Sequence, residues 1–494
     1  VPYHQTSVSI EECVMKYVWA AMIAMVGINS AVAADLAARS YTKAPVADPA
    51  YNWTGFYFGV NAGVGLGRSL SQLTVPVTPG AFGETSRLGA AGAIGGGQLG
   101  YNWQLGQWVL GVETDLQRSG IEDSRTCELY CQPQAVSAQF DQKLDWFGTV
   151  RGRVGLAAGP VLGYVTGGLA YGGVKTAMAE ALPGSGGGIN FGSAGLSETR
   201  TGWTIGSGVE ASLGGNWTGK IEYLYLDLGT QSGALPFTTM PGQSFSSEIR
   251  QHIFRAGVNY RIGGSGTYAP EPVANWTGLY VGGNAGWGTA VDPSSHPGSI
   301  SGMIVFDEKF NLSPDGYLGG AQIGYNWQAT NWVFGLESDI QGSTQRDNRA
   351  CQFACDAGLV YAKFDQRLPW FGTSRARLGY SVGSSLFYAT AGLAYGEVKT
   401  SIVHTDGVIT SAADFSHTKT GWTVGAGLET PIEFFGLFGK NWTAKVEYLY
   451  VDLGKTTDSY VFDVASFGLE THVQEHIFRT GLNYHFNMPV VARY

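Results

Sequence analysis

The chain has 494 residues, room for two or three domains, with only 14% charged residues, 73 glycines and 13% aromatics. That balance is too apolar for a disordered chain and too rich in glycine for a helical one. A net charge of −9, with no Lys/Arg cluster to face phosphates, argues against a nucleic-acid partner.

In chain order, the first element is a leader. The stretch "MKYVWAAMIAMVGINSAVAA" carries Lys16, an apolar core from Tyr17 to Ile28, and small residues at Ala31 and Ala33. This pattern predicts a secretory signal peptide cut after Ala33 or Ala34. Residues 1–14 lie outside it and read as an upstream extension from an over-extended translation start, which leaves Cys13 out of the mature protein. Residues 35–51 then form a periplasmic N-terminal segment. No later run of 18 apolar residues exists, so no further helix is expected to span a bilayer.

The remainder says everything twice. "WVLGVETDLQ" at Trp108 returns as "WVFGLESDIQ" at Trp332, 224 residues on; "TGGLAYGGVKT" (Thr166), "NWTGKIEYLYLDLG" (Asn216) and "HIFRAGVNY" (His252) also return. Such a period marks a duplicated domain rather than a solenoid. The first copy is assigned residues 52–263, the linker 264–274, the second copy 275–487 and a tail 488–494. The lead-in is echoed too, "YTKAPVADPAYNW" before one copy and "YAPEPVANW" before the other.

Eight segments of period-2 alternation follow in the first copy: Trp53–Leu66, Ala93–Gln104, Gln107–Gln117, Ala138–Leu156, Val161–Met178, Arg200–Leu213, Trp217–Gly229 and Glu248–Ile262. Tyr, Val, Trp and Thr in alternation are the strand signal. Tight turns ("LGQ", "AAGP", "GGN") follow the second, fourth and sixth segments, and long polar loops follow the first, third, fifth and seventh. Those loops are Arg68–Ala91, Ser119–Ser137, Ala179–Thr199 and Thr230–Ser247. Short turns on one side and long loops on the other define an all-β, antiparallel, up-and-down transmembrane barrel. About ten residues at ~3.3 Å each, tilted ~40°, cover the ~25 Å apolar band.

Parity settles which face meets what. In the fourth segment Trp146, Val150 and Val154 share one face, and Thr149, Arg151 and Arg153 the other. A barrel in lipid shows its apolar face to acyl chains, making outer-membrane lipid its solvent partner, and encloses the polar face. By the same count Glu113, Asp115, Glu210, Lys220, Glu222 and Arg255 point inward. The second copy repeats the set as Arg375, Arg377, Lys445 and Arg479 against Glu337, Asp339, Glu429 and Glu447. Four cations and four anions per lumen are expected to form an ion-pair network. Inward glycines (Gly59, Gly63, Gly100, Gly206, Gly208) suit an eight-stranded barrel, whose interior is nearly filled by side chains. Trp53, Trp103, Trp108 and Trp217, at turn-side strand ends, are expected to form an interfacial girdle; a soluble aromatic core is the alternative.

Cys127 and Cys131 ("CELYC") and Cys351 and Cys355 ("CQFAC") are disulfide candidates, because an exported protein meets an oxidising compartment. A metal site is the rival reading, opposed by the lack of histidine in either loop, and free thiols are the third.

With "NWTGFY", "GGGQLGYNWQ", "WFGTVRGRVG", "GGLAYG" and "EYLYLDLG" in this order, each copy resembles the porin-like outer-membrane β-barrel family of alphaproteobacteria, the outer-membrane immunogenic proteins. The resemblance implies an eight-stranded barrel similar to OmpA-type domains, surface loops, and a structural or porin-like role with no catalytic residues and no cofactor. Family members look like single barrels, whereas this chain has two copies. They also end on the aromatic residue that closes the last strand and assists the barrel-insertion machinery. Here Phe486 holds that place and "NMPVVARY" follows.

Other signals carry less. "GGGQLG" fits G-x-G-x-x-G but continues into a strand rather than a helix, and the "NWT" triplets open strands at the turn side. His252 and His476 sit at the loop-side end of the last strand and point outward, where an interfacial anchor is expected and a barrel-enzyme histidine is the remote alternative. The open contest is architectural: two tandem eight-stranded barrels, a structural and surface-antigen protein with at most small-solute permeability, or one sixteen-stranded general diffusion porin. The echoed lead-in, the inward glycines and the balanced lumen charges favour two. No loop composition names a ligand.

Overall fold

A computed structural model describes residues 51–67, 69–76, 81–132, 135–183, 189–235, 243–263, 274–300, 303–352, 361–405, 408–432 and 441–486. The leader, the segment before Tyr51, the linker 264–273 and the tail lie outside these residues.

The first copy supplies strands β1 (Gly55–Gly67), β2 (Ser69–Pro76), β3 (Ala81–Leu88), β4 (Ala91–Leu105), β5 (Trp108–Gln132), β6 (Ala135–Ala158), β7 (Val161–Pro183), β8 (Ile189–Gly214), β9 (Trp217–Leu235) and β10 (Gln243–Ile262). The second supplies β11 (Gly278–Ala290), β12 (Asp292–Ile300), β13 (Met303–Leu312), β14 (Asp315–Ala329), β15 (Trp332–Gln352), β16 (Tyr361–Val382), β17 (Ser385–Thr405), β18 (Thr410–Pro431), β19 (Trp442–Phe462) and β20 (Ala465–His485). In copy 1, β1 pairs antiparallel with β4 on one side and β10 on the other, and β4 to β10 pair in succession. In copy 2, β11 closes on β14 and β20 in the same way. The result is two eight-stranded rings. A single sixteen-stranded ring would need β1 to pair with β20, and instead each copy closes on itself. Ring closure satisfies every spanning backbone group without an open edge, which lipid requires.

Turn-side connections are tight because left-handed residues make them. Gly106 (φ 64°) and Gly215 (φ 56°) adopt that conformation at no steric cost in copy 1. In copy 2, Thr330 (φ 57°) stands where copy 1 has Gly106.

Strand length departs from expectation. β5, β6 and β8 run for 25, 24 and 26 residues, so much of what polarity assigned to loops is paired ribbon. At ~3.3 Å per residue and ~40° tilt such strands rise about 60 Å, more than twice the apolar band. A polar sequence does not stop antiparallel pairing, because the ladder hydrogen bonds are made by the backbone. The first loop of each copy is also a hairpin: β2–β3 lies against β10, and β12–β13 against β20.

The apolar band sits where parity put it. On β5, Trp108, Leu110, Val112 and Leu116 are exposed outward, and Trp332, Phe334, Leu336 and Ile340 repeat this on β15. Above them come Arg118 and Thr344, which mark the water side.

Candidate functional site: the packed lumen

Each lumen is stacked in three tiers. At the turn side, Trp53 packs with Tyr51, Val109, Leu162 and Tyr164, and Trp276 with Val333, Leu386 and Tyr388. This corrects the girdle: Trp103, Trp108 and Trp217 face out at about half exposure, but Trp53 is fully buried and donates its indole N–H to the Gly159 carbonyl at 3.0 Å. Trp53 shares its parity with the inward Tyr57, so chain position misled where alternation would not have.

The middle tier holds all sixteen predicted charges, eight per barrel. Arg151 donates to Asp115 at 2.9 Å and Glu222 at 3.0 Å and pairs with Glu113. Lys220 bridges to Glu113 at 2.8 Å, Arg255 to Asp115 at 2.8 Å, and Arg153 to Glu210 at 3.0 Å. In copy 2, Arg375 reaches Asp339 at 2.8 Å and Glu447 at 2.9 Å and also pairs with Glu337. Lys445 meets Glu337 at 2.8 Å, Arg479 meets Asp339 at 2.7 Å, and Arg377 meets Glu429 at 2.8 Å. Inward residues on β5, β6, β8, β9 and β10 converge because a narrow ring brings the inward faces of opposite strands into reach. Burying eight charges is tolerated only because each finds partners of opposite sign.

Sequence reading missed the tyrosines of this tier. Tyr57 donates to Glu113 at 2.8 Å and Tyr164 to Glu222 at 2.9 Å, with Tyr280 and Tyr388 repeating both contacts. Their rings need the facing glycines: a Cβ at Gly100 would fall 2.2 Å from the Tyr57 hydroxyl, and one at Gly208 2.6 Å from that of Tyr164. Asn259 and Asn483 donate to Glu210 and Glu429 at 2.9 and 2.7 Å. Parity along β1 and β7 would have found the tyrosines, as the same alternation on β10 puts Asn259 inward beside Arg255.

The third tier was not foreseen. Above the charges, inward residues turn apolar: Ile94, Ile121, Phe147, Leu224 and Ile253 in copy 1, and Leu318, Phe371, Val398, Leu449 and Ile477 in copy 2. Alternation there places apolar residues on the inward face as well, so the band test alone cannot separate lumen from lipid.

The side chains of Cys127, Cys131, Cys351 and Cys355 lie outside the described residues. His252 and His476 face outward at half burial and bond the Tyr223 and Tyr448 hydroxyls at 2.9 and 2.7 Å.

Two closed rings with lipid-facing apolar belts and charge-paired interiors define an outer-membrane β-barrel protein. The family profile described as "Outer membrane protein beta-barrel domain" matches residues 22–261 and again 264–486, so the chain belongs to that family, present twice. It is similar to the 31 kDa outer-membrane immunogenic protein of Brucella melitensis biotype 1, 40% identical over 230 residues, covering 44% of this chain and 88% of that protein. A 22 kDa outer membrane protein of Rhizobium leguminosarum bv. viciae is 36% identical over 222 residues, covering 44% and 82%. Coverage of under half by single-barrel relatives fits two tandem copies. Among solved structures, Neisserial surface protein A covers 42% of this chain and 98% of its own at 15% identity and a TM-score of 0.21. The protein resides in the bacterial outer membrane.

Proposed function

We propose that this protein is a sealed envelope scaffold that displays β-ribbons at the cell surface, passing at most small solutes and carrying out no catalysis. The observation that carries the reading is the continuous filling of each lumen from the Trp53 tier through the Arg151 network to the Phe147 tier. A diffusion channel needs an aqueous path, and the ring size, paired charges and apolar tier all work against one. Outer-membrane lipid would solvate the belt, and the insertion machinery would act on the strands during biogenesis. Planar-bilayer recording tests the reading: the purified chain should give no steady nanosiemens steps, and regular steps of that size would replace it with a porin.

A further inference from the structure

Outward aromatics on a lone barrel meet acyl chains, yet Phe254 is only 5% exposed. What covers it is the other barrel. The Phe254 and Phe478 rings stack at 5.1 Å and 29°, Tyr223 meets Phe478 at 5.7 Å, and Phe254 meets Tyr448 at 5.9 Å. Phe254 and Phe478 hold the same place in the repeated "HIFR", and Tyr223 and Tyr448 the same place in "EYLY". Phe254 therefore faces its own counterpart, and the two Tyr–Phe contacts are reciprocal, the signature of an isologous, two-fold contact.

The relation extends above the membrane. β13 of copy 2 pairs antiparallel with β5 of copy 1, with Lys309 opposite Thr126. The mirror strands, β3 and β15, also come together. Asn311 donates to the Gly89 carbonyl at 3.4 Å and to Asp123. On the turn side, a Cβ at Gly219 would come within 3.3 Å of the Phe387 ring. Contact thus runs the height of the barrels.

We propose that the two copies form a fused isologous dimer, in which the Tyr223–Phe254 face of one repeat is a docking surface for the same face of a second repeat. Inside the bilayer, apolar burial gives little drive, because acyl chains are as apolar as the side chains they replace. Ring packing there sets orientation, and strand addition between ribbons on the water side, where main-chain hydrogen bonds give affinity, holds the pair. The linker is then not what keeps the barrels together.

The test places a protease site within linker residues 264–273 of the full chain and cuts after folding. Both fragments, each still resisting cold SDS as folded barrels do, should co-elute one to one in mild detergent. Elution as separate folded barrels would overturn the proposal. Combining Phe254→Ala, Phe478→Ala and Asn311→Ala should weaken association of the cut fragments at least tenfold while each keeps its folded mobility, and unchanged association would reject this face. Independently of cutting, Phe254→Cys with Phe478→Cys, in a chain whose native cysteines are serine, should be joined by a short bis-maleimide in membranes. Failure to join them would also reject it.

Discussion

At mid-lumen the two barrels are chemically the same: Arg151 and Arg375 each hold three carboxylates, and Lys220 and Lys445 each pair with two of them. At the loop-side mouth they part. Ile121 and Gln251 of copy 1 stand where copy 2 has Gln345 and Glu475, which bond each other, and Asp292 accepts from the Gln474 amide at 2.7 Å. Higher still, among the described residues, copy 2 gathers Phe310, Phe364, Ile402, Tyr460 and Phe462 into a core within its ribbons, and copy 1 packs Met178 against Phe245. The difference teaches where duplication was free to drift. A buried ion network loses its balance if one member changes alone, whereas Ile121 with Gln251 and Gln345 with Glu475 are two self-consistent ways to fill the same buried mouth.

That contrast can be broken most forcefully at the shared tier. Arg151→Met leaves Glu113, Asp115 and Glu222 short of a cation and should cost about 3–5 kcal/mol, and Arg375→Met the same. Denaturant unfolding of the two variants checks this, and a marked inequality would show that the tiers are not equivalent. Phe364→Ala opens a cavity in the copy 2 ribbon core and should cost about 3 kcal/mol. Hydrogen exchange should report that loss in β16 and β17 and leave copy 1 unchanged.

Acid should also separate the copies. His296, in the ribbon above the membrane, is buried against Phe364, Tyr460 and Phe467, and that burial, with His404 nearby, pushes its imidazole down to about 3. A histidine held neutral contributes stability above its unfolded pKa near 6.5, and that contribution is lost as pH falls towards 3. At pH 5 the loss is about 2 kcal/mol. Limited proteolysis at pH 7 and pH 5 should show the copy 2 ribbons loosening first, and His296→Phe should abolish the difference. The smallest effect belongs to the turn: Thr330→Gly relieves a β-branched residue in the left-handed region and should stabilise copy 2 by about 1 kcal/mol, read as a raised denaturant midpoint.

Much of this architecture could be read from alternation. Parity put eight charges on the inward faces of β5, β6, β8, β9 and β10 and eight on those of β15, β16, β18, β19 and β20, where the side chains are buried, because lumen and lipid impose opposite chemistry on neighbouring residues. It failed where that opposition lapses. Ile121 and Phe147 are apolar yet inward, so polarity gives no contrast there. The ribbons of β5 and β8 are polar yet paired, so polarity was mistaken for loop. Phe254 is outward yet covered, because no pattern within one repeat reports what another repeat does to it.

Each repeat closes on itself, and one cross-strand disulfide tests that closure. Val60 on β1 lies opposite Val258 on β10, both facing out. In a chain whose native cysteines are serine, Val60→Cys with Val258→Cys should oxidise to an intramolecular disulfide in the folded, membrane-inserted protein. If these thiols stayed free while cysteines placed on β1 and β20 became linked, the chain would be one large ring and self-closure of the repeats would be contradicted.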